Sequence, residues 1–110
     1  MKTKFLLSIA IVALVGLANS AFAQDSKWDK NHPRRDQVND RLANQNARIH
    51  DKVEDGKMGK GEATRLHRED HSIRKEERRM ASRDGGHITK ADQRRLNRQE
   101  NHVSRQIRRH

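Results

Sequence analysis

The sequence predicts an all-α protein, a three-helix hairpin array or small bundle with two equivalent glycine-containing interhelical joints. Two observations carry that prediction. A stretch running from Gly56 to Leu66 recurs, thirty residues on, from Gly86 to Leu96, and each copy reads as the end of one helix, a tight turn and the capped start of the next. The three segments so divided also share an internal signature. Arg41-Leu42, Arg65-Leu66 and Arg95-Leu96 are each followed, seven residues after the Leu, by Ile49, Ile73 and Val103. One period in three segments implies one packing role, each apolar stripe buried against its neighbours rather than within its own helix.

Each element has its own signals. Lys2 and Lys4, the apolar run from Phe5 to Leu17 and the small-residue pattern Ala21-Phe22-Ala23 read as a signal peptide over residues 1–23, cleaved near Ala23. The run is too short for a comfortable membrane span and no second one follows, so the mature chain is expected to be periplasmic or secreted. Residues 24–32 are polar without a helical period and read as a disordered N-terminal arm. Residues 33–110 then form the helical repeat domain. Pro33 suits a first helical turn, where a missing N–H is harmless. Val38, Leu42, Ile49 and Val53 make one stripe, and Asp55-Gly56 closes the helix, Gly supplying the left-handed residue. The second helix is expected from about Lys60 to Arg83, with Leu66, Ile73 and Met80 as its seam and Glu69 and Glu76 at the other core position. Asp84-Gly85-Gly86 ends it. Thr89 and Asp92 predict a capping box for the third helix, whereas Gly59 and Glu62 make half of one for the second.

Composition bounds what such a chain can do. It has 110 residues, a net charge of +10 and no cysteine, so neither disulfides nor a cysteine-borne lipid anchor hold it. Its large apolar side chains, each worth about 2 kcal/mol when buried, face an ordering cost of about 1–1.5 kcal/mol per residue. So thin a core predicts completion by self-association or by a ligand. An enzyme is the least supported class: no Cys nucleophile, no Gly-x-Ser-x-Gly turn and no phosphate-binding Gly loop are present. Nucleic acid is disfavoured as well, because Trp28 is the one aromatic residue beyond the signal peptide and no stacking platform exists.

The pattern Gly-x-(Ile/Leu)-Thr, an acidic residue three positions on, then Leu, resembles that of small secreted proteobacterial helical-repeat proteins over roughly residues 38–108. The resemblance implies export and a helical repeat, and brings no catalytic or binding residues with it. Ile88-Thr89-Lys90-Ala91-Asp92-Gln93 also resembles, one residue off in spacing, the Leu-Thr-x-x-Gln motif of small periplasmic stress chaperones, which are basic and helical.

Three constellations could carry chemistry. Asp51, Asp55, Gly56 and Glu62 match positions one, five, six and twelve of an EF-hand calcium loop, with Met58 at the apolar eighth; Val53 stands where a third ligand belongs. His67 and His71 lie four apart on one helical face, a spacing that suits zinc or copper. The broadest signal is the C-terminal segment, where Arg94, Arg98, Arg105, Arg108 and Arg109 gather on the side of the helix opposite Leu96, Val103 and Ile107. Guanidinium pairs with phosphate and carboxylate through two charge-assisted hydrogen bonds. The sequence therefore predicts an exported basic helical protein binding an anionic envelope component or a client protein, a stress or accessory factor without a cofactor. Its alternative is a metal-responsive protein that takes calcium through the degenerate loop or zinc or copper through the His pair.

Overall fold

A computed structural model describes residues 27–110. The signal-peptide expectation for residues 1–23 and the start of the N-terminal arm lie outside the described residues. The chain divides into two units, Met1–His32 and Pro33–His110. In the first, residues 27–31 are helical, which corrects the expectation of a disordered arm there. The His32 ring stacks on Trp28 at 4.5 Å and its Nδ1 donates to the Trp28 carbonyl at 2.9 Å. A local i,i+4 pair of this kind supports one helical turn without any apolar period to announce it.

The second unit consists of α1 (Pro33–Glu54), α2 (Lys60–Arg83) and α3 (Lys90–Arg108). At the first joint the Lys57 and Met58 N–H groups both reach the Lys52 carbonyl and the Gly56 N–H reaches that of Val53, ending α1. Gly56 sits at φ +72°, the left-handed geometry that this helix ending needs. At the second joint Gly85 and Gly86 both have positive φ, and the Gly86 N–H bonds back to the Ala81 carbonyl at 2.8 Å. Met58 and Ile88, thirty residues apart in the repeat, are each buried just before the next helix starts. The joints are thus equivalent in the core they plug as well as in their glycines.

The two N-termini differ. At α3 the full capping box forms, Asp92 N–H donating to Thr89 Oγ1 (3.0 Å) and Thr89 N–H to Asp92 Oδ2 (3.3 Å). At α2 Gly59 offers no side chain, and Glu62, the expected half of a box, turns instead to Arg65 at 2.5 Å. Gly59 has extended backbone angles and nothing near the space a Cβ would fill. Gly59→Ser is therefore expected to stabilise the protein by about 0.3 kcal/mol, since Ser supplies the missing acceptor. A rise of its urea midpoint at unchanged slope would show it.

Cross-helix pairs fix the directions. Between α1 and α3 the partners keep a near-constant sequence offset: Gln37 with Gln93, Gln45 with Glu100, Arg48 with Ser104. A constant offset means parallel helices. Between α2 and either neighbour it is the sum of residue numbers that holds steady, as for Arg35 with Glu77 and His67 with Asn46, or Gln99 with Glu76 and Arg65 with Gln106. The helices therefore run up, down, up, and because all three pairs touch, the arrangement is a bundle rather than an open array.

Its core is a stack of seams: Val38, Leu42 and Ile49 on α1, Ala63, Leu66, Ile73 and Met80 on α2, and Leu96, Val103 and Ile107 on α3. The second core position of α2 needs correction. It is held by Asp70 and Glu77, four residues after Leu66 and Ile73, and not by Glu69 and Glu76, which are half-buried at the edge. Gln45 and Glu100 fill the matching positions on α1 and α3, so polar side chains interrupt the apolar seam of every helix.

Candidate anion-binding groove and a buried carboxyl layer

The thirty-residue repeat and the antiparallel α2–α3 hairpin together create a local pseudo-twofold relation whose axis passes near Ser72 and His102, so that repeat copies close to the middle of the hairpin lie near each other. Two features follow, one on the surface and one in the core.

On the surface a groove of about 700 Å³ opens between α2 and α3. Its lining consists of repeat pairs: Arg65 with Arg95, Arg68 with Arg98, Glu69 with Gln99, Ser72 with His102, and Ile73 with Val103. The cations differ in their freedom. Arg65 is held by Glu62, by Glu69 at 2.8 Å and by Gln106, and Arg95 approaches Glu76 at 3.4 Å. The Glu62 hydrogen bond pushes the Arg65 guanidinium pKa up, and the same bond holds the Glu62 carboxyl below its ordinary value. Arg68 and Arg98 form no ion pair with any described residue, and both are exposed. They are left with their donors directed to solvent or to a ligand.

Of the arginines expected to bind anions, Arg98 alone lines this groove; Arg94, Arg105 and Arg108 are exposed elsewhere on α3 and Arg109 is exposed just after its end. Reading one helix at a time conceals the α2 contribution, although the repeat contains it: Arg65 and Arg68 are the copies of Arg95 and Arg98.

The expected calcium ligands fall on α1, on the joint after it and on α2, and the His pair falls on α2. Asp51 lies within α1, which continues to Glu54, and a short joint leads from there to α2. Asp55 is exposed, and Glu62 is committed to Arg65 and His110. His67 bonds to Asn46 at 2.9 Å and His71 is exposed. Among the described residues no three His, Asp or Glu side chains are grouped to hold a metal ion.

The core feature is a layer of carboxyl groups that sequence reasoning missed. Asp70 and Glu100 are themselves a repeat pair, and because they lie near the middle of the hairpin the two acidic residues share one buried layer. Neither carboxyl oxygen of Asp70 or Glu100 accepts a hydrogen bond, nor does Gln45 Oε1. The Gln45 amide donates instead to the Glu100 main-chain carbonyl at 2.6 Å. Arg41 Nη1 stands 3.8 Å from Glu100 Oε1, too far for a hydrogen bond, and its guanidinium is engaged by Asn97 and Asn101. Burial pushes the Glu100 carboxyl up to about 8 and that of Asp70 up to about 7, with neighbouring Glu69 adding to Asp70 and with Arg41 opposing the rise at Glu100. Glu77 is a different case. Arg35 Nε donates to it at 2.6 Å while Arg35 Nη1 reaches the Gly86 carbonyl at 3.0 Å, so this buried carboxylate has a cation of its own.

No protein-family model, no curated protein and no solved structure matches the chain.

Proposed function

We propose that this is an exported basic helical protein, not an enzyme, that binds a phosphate-bearing anionic component of the cell envelope as an accessory or stress factor. The observation that supports the reading is the α2–α3 groove, where Arg68 and Arg98 stand without partners among the described residues on either side of a local pseudo-twofold. Two such guanidinium groups suit a ligand that carries its negative charge in more than one place, because each can form a paired hydrogen bond with a phosphate. Arg65 and Arg95 supply further positive field while remaining tethered to glutamates. The exposed arginines at the end of α3 extend the same field along the surface and promote approach rather than docking.

Co-sedimentation with vesicles tests this. Binding to vesicles bearing lipopolysaccharide is expected to exceed binding to zwitterionic vesicles and to weaken steeply with salt, since phosphate pairing is screened. Arg68→Gln with Arg98→Gln is expected to weaken it by about tenfold, equivalent to about 1.4 kcal/mol. Arg105→Gln with Arg109→Gln should do less. Equal loss from the two pairs would move the site out of the groove. Binding that ignores salt would end the phosphate reading, and binding to an acidic peptide with none to vesicles would replace it with a protein client.

A further inference from the structure

Three-helix bundles of this size have few core positions, and here one layer of them is filled by Gln45, Asp70 and Glu100. An ionised carboxylate that accepts no hydrogen bond is among the most unfavourable groups to bury. A neutral carboxyl group is not: its O–H becomes a donor, and the layer then holds both the donor and the orphaned acceptors to receive it. The same residues join the two helices that form the groove, Asp70 being followed on α2 by Ile73 and Glu100 on α3 by Val103, both of which line it.

We propose that Glu100, in one buried layer with Asp70 and Gln45, is a proton-operated latch that closes the α2–α3 hairpin in acid and loosens it as the surroundings become alkaline. This does not depend on what the groove binds. The charged groups facing the latch come from all three helices. From α1 there is Arg41 at 3.8 Å, with Arg35 farther along on Glu77; from α2 there are Glu69, beside Asp70, and Glu77; α3 supplies Glu100 itself. Negative groups outnumber the single nearby guanidinium, and that guanidinium already serves two asparagines.

The direction follows from linkage. With its folded pKa near 8, against 4.5 for the ordinary carboxyl, Glu100 holds a proton in the folded state that the unfolded chain has released. Asp70 does so between 3.8 and about 7. Where the folded state binds more protons, stability falls as pH rises, here from about pH 4 to pH 8, and no further loss comes from these groups above that. Glu62, whose pKa is lowered, has the opposite effect and acts only below its ordinary value of 4.5. The behaviour is the reverse of ordinary acid denaturation.

Urea unfolding of the purified protein at pH 5 and pH 8 reads this directly. The folded-to-unfolded ratio is expected to fall by at least about tenfold between the two, as loss of one proton per molecule changes it about tenfold per pH unit. Asp70→Asn with Glu100→Gln should flatten that dependence, and Glu100→Met serves the same purpose if the doubly polar variant does not fold. Comparing the slopes of wild type and variants isolates the contribution of these two carboxyl groups. A wild-type stability that is flat or rises from pH 5 to pH 8 would overturn the latch, as would an unchanged slope in the variants. So would restoration of wild-type stability at pH 8 by calcium but not in Glu100→Met, since a cation would then hold the place given to the proton.

Discussion

Arg35→Ala is expected to destabilise the bundle by about 3–5 kcal/mol, the cost of leaving a buried carboxylate without its cation. Glu77 is 1% exposed, and Arg35 is the residue that neutralises it, with Nε at 2.6 Å from Oε2 and Nη2 at 3.4 Å from Oε1. The remaining guanidinium nitrogen, Nη1, donates to the Gly86 carbonyl in the second joint. One side chain of α1 therefore ties down both the C-terminal part of α2 and the turn that launches α3. Domains of this class have total stabilities of about 5–15 kcal/mol, so the loss is a large fraction of the whole. Arg35→Lys should recover part of it, because the ammonium keeps the charge but cannot occupy two carboxyl oxygens and a carbonyl in one plane. The decisive variant is Arg35→Met with Glu77→Met. Replacing both partners removes the stranded charge, and its urea midpoint is expected to lie well above that of Arg35→Ala. If Arg35→Ala and the double variant were equally unstable, the damage would come from the lost Gly86 contact and not from the ion pair.

Most of this architecture was legible in the chain, because it rests on short-range rules. Pro33, the left-handed Gly56, the Thr89–Asp92 box and the seven-residue spacing of Leu66, Ile73 and Met80 each state a local preference that the fold obeys. The polar layer was not legible for a physical reason. A charged side chain is normally assigned to the solvent face, so Glu69 and Glu76 served as well as Asp70 and Glu77 for the second position of the heptad. A shift of one residue on a helix changes which of these is buried. Only the packing of α1 and α3 against α2 decides between them. Groove residues were hidden in the same way. A helical wheel of α3 alone points its arginines outward, and it contains nothing about Arg65 and Arg68 across the gap. What could have revealed both is the repeat combined with an antiparallel hairpin, since that pairing brings the copies nearest its midpoint together and so concentrates like charges there, Asp70 with Glu100 among them.

That concentration makes Glu100→Met the substitution expected to stabilise the protein most, by about 1–4 kcal/mol at pH 8, the range found when poorly compensated buried charges give way to apolar groups of similar volume. In a domain of this size each kcal/mol raises the melting midpoint by about 4–8 °C. The reason is specific to what Glu100 touches. Its side-chain oxygens accept no hydrogen bond, so its removal strands no donor. Arg41 loses a neighbour at 3.8 Å and keeps Asn97 and Asn101; the Gln45 amide bonds to the Glu100 main chain and keeps its acceptor whatever the side chain. Asp70 gains as well, because a nearby like charge disappears. At pH 5 the gain should shrink, since the carboxyl it replaces is then already neutral. Thermal melts at the two pH values separate the explanations. A gain that is large at pH 8 and small at pH 5 identifies the buried charge as its source, whereas an equal gain at both would attribute it to the packing of the methionine side chain. The contrast with Glu77 is the physical point: two carboxyl groups in one small core, equally buried, respond oppositely to change because one has a guanidinium within hydrogen-bonding distance and the other does not.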